Sequence, residues 1–350
     1  MQEHFNDLVI GTYGRGAWIL DDITPLREMT AQVLSADAHL FPIRQAYRFR
    51  AITAPATPYD DQTVGENPPY GADINYFLKS PATGNVAITI QDSKGQTVRT
   101  LQGPRAAGLN RVYWDLRDTA SKRVTFRTSP LYAPDVRIGP DGIRESEGGF
   151  GAGGGGVTIL QPPGTYTVKL SAAGRELTQQ LRVLKDPHSA GTEADIAAQQ
   201  QMLMSVRRSL DEVVDAINNA ELIRAQIVNL KNLTQDTELR RAADDLDQKV
   251  VAAQGTLVEL RTTGRGQDGV RWGSRLVQKF AYLANGLANA DFKPTNQQLA
   301  VQKDLEERFK RSQGQLSEVY TRELAAFNDM LRRANLPTIF TQTSRRPSSQ

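Results

Sequence analysis

The sequence predicts a multidomain chain that is β in its first part and α in its last, and three observations carry that prediction. Short alternating stretches separated by Gly, Asn, Asp and Ser turns run through residues 70–187, the signature of a β-sandwich. Apolar residues recur at spacings of three and four through residues 192–340, which is the period of amphipathic helices. Near the N-terminus a glycine-rich turn separates two short apolar runs, which is a hairpin signal. With 350 residues, 39% hydrophobic and 23% charged, the composition is that of ordinary globular protein, and the length suits two or three domains.

The hairpin is formed by Leu8-Val9-Ile10 and Ala17-Trp18-Ile19-Leu20 around the turn from Tyr13 to Gly16. Two strands alone are marginal in water, so these need a sheet to join. Residues 26–69 read as a connector, because Pro42, Pro55, Pro58, Pro68 and Pro69 oppose regular helix, with one short strand expected at residues 47–52. In the sandwich region, strands are expected at residues 73–78, 85–91, 96–101, 110–115, 165–171 and 176–184, with turns at Asp92-Ser93-Lys94-Gly95 and Ala172-Ala173-Gly174. Alternation along the fourth of these places Trp114 between the sheets and Tyr113 outward. An insertion at residues 118–161 carries a Gly-rich loop at residues 147–156, read as flexible: a phosphate-cradling loop needs a strand before it, a helix after it and usually Gly-Lys-Ser/Thr.

Thr192 with Asp195 resembles a capping box, and Leu203, Val206, Leu210, Val213, Ile217 and Ala220 then form one apolar seam. After a break at Thr234-Gln235-Asp236, a second seam runs from Leu239 to Leu260; Trp272, Leu276, Phe280, Leu283 and Leu287 mark a third helix. Thr295 with Gln298 caps a fourth that extends to Leu331, and the four are expected to pack as an antiparallel helical bundle. Residues 341–350 read as a disordered basic tail.

The chemistry is sparse. There is no cysteine, and His4, His39 and His188 lie far apart, so neither a thiol nucleophile nor a local metal motif is present; no metal and no cofactor is expected. Acidic and basic residues are interleaved at a net charge of +3, which points away from nucleic acid, and no apolar run approaches the ~20 residues of a membrane span. The first residues lack the basic region and apolar core of a signal peptide, and Gly-x-Ser-x-Gly is missing. The acidic pairs Asp21-Asp22, Asp60-Asp61 and Asp244-Asp245 are sequence neighbours whose side chains diverge, so none forms a glycosidase pair, and Asp21-Asp22 is expected to end the hairpin. No catalytic residue is assigned. Two residues are ligand candidates: Arg15, a guanidinium on a glycine-flanked turn that suits a carboxylate or phosphate, and Tyr113, which with Trp114 and Tyr166 offers a platform for carbohydrate.

The run from Asp7 to Leu26, with Gly11-Thr12-Tyr13-Gly14-Arg15-Gly16-Ala17-Trp18-Ile19-Leu20-Asp21-Asp22 at its centre, resembles the closing blade of sortilin-like, BNR-type bacterial β-propellers, which are often labelled glycosyl hydrolases. Residues 108–115 and 162–170 are similar to the Ig-like, FlgD-type module of envelope proteins. The resemblance implies a remnant of the last propeller blade at residues 1–25, then the connector, an Ig-like β-sandwich at 70–187 and the helical region. It also implies a non-catalytic accessory or interaction region of a larger, secreted or periplasmic protein, whose export signal would lie upstream. Its partner would be the parent's propeller or another protein. One alternative is a glycoside-hydrolase-like enzyme with its active site before Met1; a second is a stand-alone protein-binding or assembly module.

Overall fold

The computed structural model describes residues 5–14, 16–50, 67–144, 156–264 and 266–341. The long helices follow the strands along the chain, and the residues divide into two compact units. Arg15, the pair Asp60-Asp61, the Gly-rich loop up to residue 155 and the tail from residue 342 lie outside the described residues.

The first unit comprises residues 1–119, 158–200 and 290–293. It opens with the hairpin β1 (Leu8–Gly11) and β2 (Ala17–Leu20), followed by two short helices, α1 (Thr24–Arg27) and α2 (Ala31–Ser35). Then come β3 (Ala38–Leu40), β4 (Ala46–Arg48), β5 (Ala72–Leu78), β6 (Val86–Gln91), β7 (Thr97–Gly103), β8 (Gly108–Trp114), β9 (Gly164–Ala172) and β10 (Arg175–Lys185). They form a five-stranded sheet in the order β4-β10-β9-β6-β7 and a three-stranded sheet in the order β3-β5-β8, every pairing antiparallel except β4 with β10.

The segment expected as a connector therefore supplies one strand to each sheet. The helices α1 and α2 form there because Pro25 sits in the first turn of α1, where its missing N–H is no loss, and because α2 ends well before Pro42. The turn after β6 is held by Asp92, whose Oδ1 accepts from the backbone N–H of Lys94 and Gln96 at 2.9 Å each, with Gly95 at a φ of +75°.

Both sheets contribute to one hydrophobic core. Alternate residues of β5 (Ala72, Ile74, Tyr76, Leu78) and β6 (Val86, Ile88, Ile90) meet Val168, Leu170, Leu181 and Val183. Trp114 is fully buried in this core, edge-on to Tyr166 at 5.2 Å between ring centroids, and its indole N–H donates to the Arg117 carbonyl at 2.8 Å. β5 is buried on its other face too, where Phe77 packs with Val33 and Phe41. That second cover makes Asp73 and Asn75, on the same face, interior polar groups that must find partners.

The second unit comprises residues 120–157, 201–289 and 294–350. The helices are α3 (Glu193–Leu233), α4 (Thr237–Gln254), α5 (Asp268–Arg271), α6 (Leu276–Ala288), α7 (Asn296–Glu318) and α8 (Ala325–Arg333), with a π-helical turn at Val319–Leu324 between the last two. The first residues of α3, to Gln200, belong to the first unit. Both capping boxes form: Asp195 replaces the usual Glu by accepting from the Thr192 N–H at 3.0 Å while its own N–H donates to Thr192 Oγ1 at 3.1 Å. Two expectations are corrected. Leu257 and Leu260 lie beyond the end of α4, in the turn that begins at Gly255, and Trp272 lies before α6, stacked under the Arg261 guanidinium at 4.0 Å.

Residues 120–144 are not a loose insertion of the sheet region. Residues 122–128 among them line up along a polar stripe of α3 in which Asp211, Asn218 and Glu221 accept from the backbone N–H of Lys122, Thr125 and Arg127 at 2.7 Å each. Spacings of seven and three put these side chains on one helix face, so the helix pairs with an extended backbone that would otherwise leave its donors unmade. Glu221 is the centre of this stripe. Fully buried, it also accepts from Thr128 N–H and Oγ1 at 3.0 Å, from Arg224 at 3.2 Å and from Gln254 at 2.7 Å. Replacing it strands all of these donors, so Glu221→Ala should cost about 3–5 kcal/mol in urea unfolding followed by helical circular dichroism. Glu221→Gln, which keeps one acceptor, should cost clearly less.

Candidate functional site

A dense polar cluster of the first unit lies on the outer face of the three-stranded sheet, at the stem of the β1–β2 hairpin. Strand register builds it: across β5 and β8, Asp73 stands opposite Tyr113 and Asn75 opposite Arg111. Because successive side chains alternate faces, these four look away from the core that holds Ile74 and Trp114. The chain at Asn6-Asp7 and Asp21-Asp22 closes over them.

Arg111 joins sheet and stem. Its Nε donates to Asn75 Oδ1 at 2.7 Å, while Nη2 donates to the carbonyls of Asp21 at 3.1 Å and Asp22 at 3.0 Å. Asn75 Nδ2 in turn donates to Asp22 Oδ2 at 3.1 Å. On the other side Arg44 Nε donates to Asp73 Oδ1 at 2.8 Å and Nη1 to the Phe5 carbonyl at 2.9 Å. Asp7 Oδ1 accepts from the Asp22 N–H at 3.0 Å, and the Ile23 N–H donates to the Asn6 carbonyl at 2.9 Å, so both legs of the hairpin are tied to one another. Asn6 and Asp22 have φ of +57° and +46°. These residue types tolerate the left-handed region best among those with a Cβ, and the surrounding bonds fix them there.

The carboxyls of Asp22 and Asp73 hydrogen-bond to each other. Burial pushes the Asp22 carboxyl above its ordinary value, and the Asp73 carboxylate beside it pushes the same way. Burial alone would raise Asp73 as well, but the hydrogen bond from Asp22 and the Arg44 guanidinium outweigh it and hold Asp73 low. Of the two, Asp22 therefore keeps its proton to higher pH, and Arg44 ion-pairs with both Asp73 and Asp7.

Asp22 Oδ1 is committed to the Thr24 N–H and hydroxyl, and its Oδ2 to Asn75. Two carboxyls in contact leave no room for a sugar or a water, whereas glycoside hydrolysis uses pairs about 5–9.5 Å apart. The geometry is that of a clasp: it fixes where the hairpin leaves the sheet.

Of the sequence-derived ligand candidates, Tyr113 is in this cluster, half-buried, its Oη accepting from Arg111 Nη1 at 3.4 Å. Trp114 and Tyr166 lie in the core on the opposite side, so the three aromatics do not form one platform. Arg44, Asp73, Asn75 and Arg111 were not anticipated from the sequence. Arg111 lies in the run 108–115 that carries the FlgD-type resemblance, which assigns it no role; for Asp73 and Asn75 the signal was polar residues on a strand, β5, that is otherwise apolar. Among the described residues no group of three His, Asp or Glu side chains is placed to hold a metal ion, and no helix is long and apolar enough to cross a membrane. No family model matches the chain, and no curated protein matches it.

The Asp22 assignment has a pH signature. Above the ordinary value of 3.8 the unfolded chain has released this proton while the folded chain keeps it. The stability it contributes is full below 3.8 and is lost as the pH rises through the raised value. Asp22→Asn fixes the neutral form, so its melting temperature relative to the parent chain should climb with pH across that window and level off above it. Asp73 acts with the opposite sign, its contribution present above 3.8 and lost as the pH falls through its lowered value. Melting curves between about pH 3 and about pH 8 make the comparison; parallel curves for the two proteins would show that Asp22 titrates alike folded and unfolded.

Proposed function

We propose that this chain is the C-terminal accessory region of a larger, extracytoplasmic BNR-type β-propeller protein. In this reading β1 and β2 are two strands of the closing blade, the two sheets are an Ig-like, FlgD-type sandwich, and the helices are a bundle that positions the propeller or contacts another protein. The hairpin is the observation that supports it. Trp18 is 67% exposed, Ile19 62% and Ile10 49%, so apolar side chains face solvent on both sides of the ribbon. Each strand also has one unpaired edge among the described residues. Such a ribbon is marginal by itself, whereas pairing along its edges within a four-stranded blade would bury those side chains and satisfy the free backbone groups.

The clasp gives the hairpin a fixed exit from the sheet, which is what a blade held against a neighbouring domain requires. Asp7, Asp22 and Asp73 are engaged by protein donors, which favours a structural role over hydrolysis by this region. The extracytoplasmic location rests on the resemblance of residues 7–26 and 108–115 to the family.

An antibody raised against the helical region would report the size of the protein in its native cells. A band well above 38.6 kDa is expected; a band at 38.6 kDa would overturn the accessory-region reading.

A further inference from the structure

The second unit contains a cavity of about 180 Å³ lined by Val124, Phe126, Ile143, Arg144 and the turn Thr262 to Gly264. Arg144 is 7% exposed. Its Nε donates to the Thr128 carbonyl at 2.7 Å and its Nη1 to the Thr262 carbonyl at 3.1 Å, and the guanidinium lies over the Phe126 ring at 4.1 Å. Nη2 is buried and makes no hydrogen bond. A buried charged donor left unmade is costly, so its persistence in a cavity wall points to an acceptor that comes from outside. Burial lowers the Arg144 pKa to about 10, the response of a cation whose surroundings do not fully compensate it.

The nearby carboxylates do not supply that acceptor. Glu221 is engaged with Arg127, Thr128, Arg224 and Gln254. Asp268 Oδ2 is engaged with the backbone N–H of Thr263 at 2.7 Å and Gly264 at 2.9 Å. These last two bonds also bear on ligand class. They use the turn's own anion-binding N–H groups, leaving the guanidinium end as the principal donor. The unmade donor, Nη2, suits a single anionic oxygen, and among the described residues the lining holds no second charged side chain to balance the larger charge of phosphate. The walls of Val124, Phe126 and Ile143 suit an alkyl group, and the volume is below the ~300 Å³ at which pockets for larger ligands begin.

We infer that this cavity binds a small aliphatic carboxylate, its head on Arg144 and its tail against Val124, Phe126 and Ile143. The site is separate from the hairpin and stands or falls independently of the propeller reading.

Butyrate, butanol and inorganic phosphate test it on the full chain, by thermal shift and by ligand-observed saturation-transfer NMR. Butyrate should raise the melting temperature and give saturation transfer, with neither seen for butanol or phosphate. Arg144→Gln should weaken butyrate at least tenfold. Because that variant also removes two backbone contacts, Val124→Phe serves as the second: it fills the cavity, leaves Arg144 in place, and should abolish binding in a folded protein. Failure of butyrate to bind the unaltered chain, equal binding of butanol or phosphate, or undiminished binding by Val124→Phe would each overturn the inference.

Discussion

Two carboxyl groups buried side by side repel when both are charged, and the stem of the hairpin is arranged to offset that cost. Asp73 reaches the interior because β5 is covered on both faces, and Asp22 reaches it because the hairpin's second leg crosses that same face. Asp22 keeps its proton to higher pH, Arg44 pairs with Asp73, and Arg44 and Arg111 also grip backbone carbonyls at Phe5, Asp21 and Asp22. Hydrogen bonds to charged groups contribute about 1.5–3 kcal/mol each, and removing one partner leaves the others stranded. The direction of the hairpin therefore follows from the clasp. Little else holds it, since its side chains beyond Leu8 are mostly solvated.

The second unit obeys the same rule with different parts. Its stripe of Asp211, Asn218 and Glu221 on α3 provides acceptors for a stretch of irregular chain, and that stretch brings Phe126 and Arg144 into the interior. In one unit polar side chains fix a hairpin that carries exposed apolar surface; in the other they fix a loop that carries a buried cation. Each case leaves one unsatisfied feature, and both functional readings start from it.

Much of the secondary structure was legible because it is local. Alternation in Val86–Gln91 and in Gly164–Ala172, the Asp92 turn, the position of Trp114 and the Thr295–Gln298 cap all follow from a few neighbouring residues. The pairing of Asp22 with Asp73 and of residues 122–127 with α3 was not legible, since long-range register leaves no local trace. Proline density misled in a different way. Among the described residues 26–50 and 67–69 no long helix occurs, yet extended chain is also what an added strand needs: β4 begins where one short strand is expected, and β3 adds a second. In the helical region the apolar period ran past Gly255, because Leu257 and Leu260 are buried in a turn that continues the spacing without the helix. The ligand candidates show the same limit: alternation placed Tyr113 outward, but only the fold shows that Arg111 and Asp73 flank it.

The central claim is that the hairpin is firmly rooted and incompletely paired. Amide hydrogen exchange on the 350-residue chain tests this most directly. Slow exchange is expected at Asp22 and Ile23, whose N–H groups are held by Asp7 and Asn6, and fast exchange at the outward-facing amides of β1 and β2. Slow exchange along the whole hairpin would mean that both edges are already covered, and uniformly fast exchange through Asp22 and Ile23 would mean that no clasp holds the stem; either result contradicts that claim.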